Sequence, residues 1–218
     1  MYTGIVQAVR PVSAVTPYPG GNTYRIGFTD RLLEDLQLGA SVSIEGVCLS
    51  VTGIDGDGVT FDAMDATLDR TNLGDIAGRG VVNVERSAKP NEENGGHDIA
   101  GHIATTAEIV EIVTDAPQSF IRFRVAADWS RYIFPRGFLA VNGCSLTVAD
   151  KEAGGEAGDV FRINLIPDTV ERTTFSLYRP GDRLNLEVDH QTMVMVDTIE
   201  QTMGALLPRL LAEHLSKD

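Results

Sequence analysis

Two stretches of the chain carry a thiol and hydroxyls at equivalent places. Glu45-Gly46-Val47-Cys48-Leu49-Ser50-Val51 is written again as Asn142-Gly143-Cys144-Ser145-Leu146-Thr147-Val148, so Cys48 matches Ser145 and Ser50 matches Thr147. Thiols and hydroxyls become nucleophiles when a neighbouring base or a lowered pKa activates them. The same comparison sets Ile5 against His102, Ser87 against Asp189 and Asp62 against Asn164. An imidazole, suited to proton transfer near neutral pH, is thus placed in one half only, and so is the carboxylate of Asp189. Each residue also has an ordinary use. Cys48 could be a small core side chain, Ser50 and Thr147 strand formers, His102 a surface or capping residue, and Asp189 a strand end.

The elements that would position these residues follow from the repeat itself, which divides the chain into two similar halves. Gly4-Ile5-Val6 returns as Gly101-His102-Ile103, Thr67-Leu68-Asp69-Arg70-Thr71 as Thr169-Val170-Glu171-Arg172-Thr173, and Asn83-Val84-Glu85 as Asn185-Leu186-Glu187. The longer turn at residues 151–158, against 54–58, accounts for the slip in offset. In the first half, residues 1–9 read as a strand, residues 11–21 as a turn-rich connection, and Thr23 to Phe28 as an alternating strand. A short helix starts at Thr29-Asp30. A strand pair bent at Glu45-Gly46 follows, then a hairpin at Gly56-Asp57-Gly58, a helical or turn segment from Thr67 to Leu73, and a closing strand from Val81 to Glu85. Six short strands joined by glycine-rich turns predict a closed antiparallel barrel in each half. The reading is all-β: two tandem six-stranded barrels at 1–96 and 97–190, then a helix at 191–218.

In that tail Val196, Ile199, Met203, Leu206, Leu207, Leu210, Leu211 and Leu215 recur at helical spacing, with Pro208 expected to kink or interrupt the helix. The stripe needs cover, either from a sister helix in an oligomer or from the chain's own barrels. The 218 residues carry a net charge of −13, which argues against nucleic acid and against an anionic membrane surface. No apolar run is long enough to span a bilayer, and the first residues do not resemble a secretion signal. Cys48 and Cys144 occupy adjacent slots of the repeat and so face opposite sides of a strand, which disfavours a disulfide and suits a reducing cytoplasm. His97, His190 and His214 show no metal-ligand spacing, and no phosphate-binding glycine loop is present. The residues alone thus predict two barrels with two related small-molecule pockets, without naming a reaction.

The opening Met1-Tyr2-Thr3-Gly4-Ile5-Val6 resembles that of the riboflavin synthase family, alpha-chain type. The likeness continues through Gly46 to Thr52, Arg70-Thr71-Asn72-Leu73-Gly74, Asn83 to Arg86, Gly95-Gly96-His97, Gly101-His102, Gly143 to Val148 and Glu171 to Thr174. It covers nearly the whole chain. The resemblance implies Greek-key barrels, a homotrimer around the C-terminal helices, and a dismutation that needs no cofactor or metal. Two molecules of 6,7-dimethyl-8-ribityllumazine exchange a four-carbon unit to give riboflavin and 5-amino-6-ribitylaminouracil, between the first barrel of one subunit and the second barrel of a neighbour. Association with lumazine synthase is left open. A non-catalytic lumazine- or flavin-binding protein on the same fold is the alternative.

By the same resemblance, Ser41, Cys48, His102, Thr147 and Asp189 are the candidate catalytic residues. Ligand contacts fall on Gly4, Ile5, Val6, Cys48, Leu49, Ser50, Asp62, Ala63, Met64, Asp65, Ala66 and Thr67, expected on the first barrel. Those expected on the second are Gly101, His102, Ile103, Arg136, Ser145, Leu146, Thr147, Asn164, Leu165, Ile166, Pro167, Asp168 and Thr169. The chain departs from the family pattern at several places. Ala66 stands where the family usually has Glu, Arg136 where it has Lys, Ser50 where it has Thr, Tyr2 where it has Phe, and Glu45 where Asn or Asp is usual.

Overall fold

The computed structural model describes residues 1–91, 93–115 and 118–215, and the side chains of these except 30, 156 and 209–215. The first half forms β1 (Ala8–Tyr18), β2 (Gly21–Gly27), β3 (Ser41–Ile44), β4 (Val47–Asp55), β5 (Gly58–Met64) and β6 (Val81–Arg86). They close into an antiparallel barrel in the order β1-β2-β5-β4-β3-β6. The second half repeats this with β7 (Thr105–Val113), β8 (Ser119–Val125), β9 (Phe138–Val141), β10 (Cys144–Glu152), β11 (Asp159–Leu165) and β12 (Arg183–Val188). Its order, β7-β8-β11-β10-β9-β12, is the same. Short helices α1 (Asp30–Leu33), α2 (Asp65–Leu68), α3 (Ile76–Arg79), α4 (Ala127–Ser130) and α5 (Pro167–Arg172) lie between strands, and α6 (His190–Leu215) ends the described chain.

Strict alternation makes these strands. In β8, Ile121, Phe123 and Val125 are buried while Arg122 and Arg124 between them face outward. Phe161, Ile163 and Leu165 of β11 do the same opposite them, and the Phe123 and Phe161 rings stack at 5.3 Å in the lumen. Each such ring contributes about 2–3 kcal/mol by leaving water. The lumen of each barrel is therefore a filled core, and a ligand must lie against the outside. Register shifts fall at matching places in both halves, Val51/Gly53 with Val148/Asp150 and Val12/Ala14 with Ile109/Glu111. Bulges at these points give the strands the curvature that closure requires.

Two expectations change. The connection expected at residues 11–21 is mostly strand: β1 runs to Tyr18 and turns only at Pro19-Gly20. Pro11 and Pro17 are tolerated because β6 pairs with β1 only as far as Pro11, leaving one edge of β1 free beyond it. Conversely, residues 1–7 lie outside the barrel strands, because Gly4 takes a left-handed conformation (φ +75°) that ends any extended run.

Helix α6 runs unbroken through Pro208, which removes the amide that would bond Gly204; that carbonyl lies on an exposed stretch open to water. Arg131 meets Asp197 at 2.9 Å and also pairs with Glu200, and the Tyr132 hydroxyl donates to Asp197 at 2.6 Å, tying one face of α6 to the second barrel. The opposite face, with Val194, Met195, Ile199, Met203, Leu206 and Leu207, remains exposed. The chain's own barrels do not cover that stripe. Val196, expected on it, is half-buried, and Leu210, Leu211 and Leu215 lie outside the described side chains. Among the described residues no helix is long and apolar enough to cross a membrane.

The barrels meet across an approximate two-fold axis. A Cβ on Gly46 would come within 2.5 Å of the Gly143 amide nitrogen, so the two bends touch through backbone. Around them Asn83 Nδ2 donates to the Asn142 carbonyl (3.1 Å) and Asn185 Nδ2 to the Glu45 carbonyl (2.8 Å). Asn185 Oδ1 accepts from the Asn72 amide, and Asn83 Oδ1 from the Thr174 amide. The symmetry breaks at Glu45. Its fully buried carboxylate accepts from the Asn83 amide, Tyr178 (2.9 Å) and Asn142, with Arg79 3.9 Å away. Burial pushes the Glu45 carboxyl above the usual range, and Arg79 and the hydrogen bonds oppose this.

Candidate functional site

The segments that precede each barrel cross over. Tyr2 and Ile99 exchange backbone hydrogen bonds of 2.7 and 3.0 Å as an antiparallel bridge. Beyond it the Gly4 carbonyl accepts from the Ser145 amide (2.9 Å) on β10, and the Gly101 carbonyl accepts from the Cys48 amide (3.0 Å) on β4. Val6 is buried in the core of the second barrel, and Ile103 packs on that of the first. A Cβ on Gly4 would lie 2.5 Å from the Ser145 Cβ, and one on Gly101 2.6 Å from the Cys48 Cβ. Only glycine permits both the left-handed turn and this approach. Gly4, Ile5 and Val6 therefore run along the second barrel, and Gly101, His102 and Ile103 line a pocket on the first, the reverse of the expected placement.

The first pocket is a cavity of ≈320 Å³ where Cys48 of β4, Ala66 and Thr67 of α2, and Arg70 meet Gly101, His102 and Ile103. Cys48 is half-buried, and the Tyr2 hydroxyl donates to its sulfur at 3.1 Å. Burial, then the Cys48 neighbour, push the Tyr2 phenol up, so it stays a donor at any physiological pH. Cys144, by contrast, is sealed in the second core, where burial pushes its thiol up to about 12. This settles which cysteine faces inward, and both are free.

The second pocket, ≈410 Å³, is lined by His97, Asp98, Phe138 and Asp189. His97 Nδ1 lies 2.7 Å from the Ser145 hydroxyl, and its ring stacks on Phe138 at 5.5 Å. Burial lowers the His97 pKa, against the pull of Asp189 and Asp98, which favours a neutral imidazole able to accept the serine proton. A larger cavity of ≈670 Å³ has His102 and Asp189 on its wall together with Trp129 and Met193. Asp189 also caps α6, its Oδ2 accepting from the Thr192 amide at 2.7 Å.

Cys48 and His102 thus share the wall of one cavity, and His102 and Asp189 that of another. Ser41, opposite Ser50, and Thr147, opposite Phe138, line none of these three cavities. Leu49, Ala63, Leu146 and Leu165 point into the barrel cores, so they can offer a ligand only their backbone. Ser50, Asp62, Met64, Asp65, Asn164, Ile166, Pro167 and Asp168 are exposed, and Thr169 is half-buried. Asp62 accepts from Thr23 (2.6 Å) and Asp168 from Arg172 (2.5 Å). Arg136 is exposed and left-handed (φ +70°), where its counterpart in the first half is Gly39 (φ +80°). Both donate their amide to the matching carbonyl, Val148 or Val51. Sequence reasoning missed Tyr2 and His97 as partners of Cys48 and Ser145. The doubled glycine before His97 was the available signal, since a Cβ on Gly96 would lie 2.7 Å from the Ser145 Cβ.

The profile of the lumazine binding domain matches the chain twice, at residues 3–87 and 100–189. The riboflavin synthase of Escherichia coli (strain K12) is 42% identical over 206 residues, 94% of each chain. That of Chlamydia pneumoniae is 34% identical over 205 residues, 94% of this chain and 98% of the other. Among solved structures, LumP complexed with 6,7-dimethyl-8-(1'-D-ribityl) lumazine superposes with a TM-score of 0.76 at 22% identity, over 87% of this chain and all of that one. LumP complexed with riboflavin gives 0.74. The doubled domain, the shared barrel and the full-length relatives agree: the chain belongs to the riboflavin synthase family of duplicated lumazine-binding barrels.

Proposed function

We propose that the chain converts two molecules of 6,7-dimethyl-8-ribityllumazine into riboflavin and 5-amino-6-ribitylaminouracil, as a transferase without a cofactor. The observation that carries this is the meeting of Cys48 and His102 in one ligand-sized cavity on a lumazine-binding fold. The 7-methyl group of the lumazine is acidic because its carbanion delocalises into the ring, so an imidazole suffices as base. C7 of the other molecule is electrophilic, open to a thiol or an activated hydroxyl. In this reading His102 moves the methyl proton, Cys48 serves at the first pocket, and Ser41, Thr147 and Asp189 hydrogen-bond the reacting molecules. The ligand contacts are those expected from the family pattern, with the crossing segments exchanged between barrels. Much of the acceleration would come from holding two flat rings face to face, worth roughly 7–11 kcal/mol in favourable cases.

The same reading takes 1–96 and 97–190 as the two lumazine-binding units and 191–218 as the oligomerising helix. The apolar stripe of α6 supports a homotrimer, with each active site between one subunit's first barrel and a neighbour's second. The cytoplasm is the proposed compartment. The test is to give purified protein the lumazine in the presence of chelator and follow riboflavin absorbance. One riboflavin for every two lumazines consumed is expected. Tight binding without turnover would make the protein a carrier and point to Ala66, on the wall of the first pocket. No binding at all would sink both readings.

A further inference from the structure

Each barrel closes on the same sequence, Asn83-Val84-Glu85 on β6 and Asn185-Leu186-Glu187 on β12. The asparagines join the barrels, but the glutamates do something else. Glu85 is 3% exposed and Glu187 7% exposed, and among the described residues neither makes a salt bridge. A carboxylate without a cation is costly to bury unless hydrogen bonds take up its lone pairs. Here the crossing segments supply them. Glu85 Oε1 accepts from the Thr3 amide and hydroxyl, both at 2.7 Å, and its Oε2 from the Gly4 amide at 3.0 Å. Glu187 Oε1 accepts from the Ala100 amide at 2.7 Å and its Oε2 from the Gly101 amide at 2.9 Å.

The next hydrogen bond of each segment goes to the other barrel. Gly4, held by Glu85 of the first barrel, bonds Ser145 of the second; Gly101, held by Glu187 of the second, bonds Cys48 of the first. We propose that Glu85 and Glu187 are crossed positioning residues, each fixing from its own barrel the segment that shapes the pocket on the other. His102 directly follows the clamped Gly101, so Glu187 sets the place of the imidazole relative to the thiol. Glu85 likewise sets the segment against which Ser145 and His97 are arranged. The arrangement concerns geometry, so it stands or falls apart from the reaction assigned above.

Cys48 reports on it without any substrate. In the full-length protein, alkylation by iodoacetamide is followed peptide by peptide in the native state, with buried Cys144 as the gauge of global unfolding. Glu187→Gln replaces one acceptor with a donor facing an amide. It is expected to raise the Cys48 rate about tenfold while Cys144 stays protected. Glu85→Gln frees Thr3, the neighbour of the Tyr2 that covers the Cys48 sulfur, but leaves Gly101 and His102 clamped, so a smaller rise of up to about threefold is expected. A rise in both variants alike, or in Glu85→Gln alone, would overturn the proposal, as would no rise in either. If a Gln variant does not fold, Glu→Asp at the same position, which draws the carboxylate back by one methylene, carries the same expectations.

Discussion

The surroundings of Cys48 and those of Ser145 are built on equivalent strands, equivalent bends and equivalent glycine contacts, yet each side chain has a different companion. Cys48 receives a phenol that remains protonated, whereas Ser145 has an imidazole that burial keeps neutral. A phenol can only cover the lone pairs of the sulfur, whereas a neutral imidazole can either donate to the hydroxyl or accept from it. Neither companion comes from the repeated part of its own barrel. Tyr2 precedes the first matched repeat and His97 the second. The duplication supplies two equal platforms, and the crossing segments make them unlike.

The strongest test of that equivalence is Gly4→Ala against Gly101→Ala. Each substitution adds a left-handed alanine and drives a Cβ to 2.5 or 2.6 Å from the opposing Cβ and 2.8 Å from a backbone nitrogen. Each is expected to cost roughly 2–5 kcal/mol by denaturant unfolding. Gly39→Ala, with the same backbone sign and open space, is expected to cost only about 1 kcal/mol. A large inequality between the two crossing glycines would show that the pockets are not built alike.

A smaller effect is expected at the axis, where Glu45 faces Asn142. Because burial raises its folded-state pKa above the ordinary 4.5, Glu45 contributes its full stability below about pH 4.5 and loses it as pH rises through the raised value. The difference in Tm between Glu45→Gln and the parent is therefore expected to move in the variant's favour as pH climbs from about 4.5 to neutral. A constant difference would mean that Glu45 is ionised without penalty. Smallest is Tyr2→Phe, which keeps the ring and removes the hydroxyl on Cys48. It is expected to cost about 1 kcal/mol by denaturant unfolding, with the contact of His97 and Ser145 unaffected.

The barrels were legible because they rest on local patterns. Alternation in Ser119 to Val125, the hairpin at Gly56-Asp57-Gly58 and the repeat itself each announce a strand or a turn within a few residues. β1 was not legible, since Pro11 and Pro17 read as breakers and only the pairing of β6 shows that the edge beyond Pro11 is free. The membership of the pockets was half legible. Cys48 and His102 stood out by type and do meet, but the exchange of Gly4 and Gly101 between barrels depends on contacts across the whole chain. The sequence does not say that His97 meets Ser145, because that link exists only once the second barrel has folded.

The contact of Gly46 with Gly143 has a consequence for the history of the chain. In a protein assembled from two identical halves, each residue at that axis meets its own copy. An asparagine there can both donate to and accept from its twin. A glutamate would face a second carboxylate across a few ångströms with no water between them, and the two could not both ionise. With an amide at 142, the acid at position 45 meets a donor instead of its own copy, which two identical halves could not offer it.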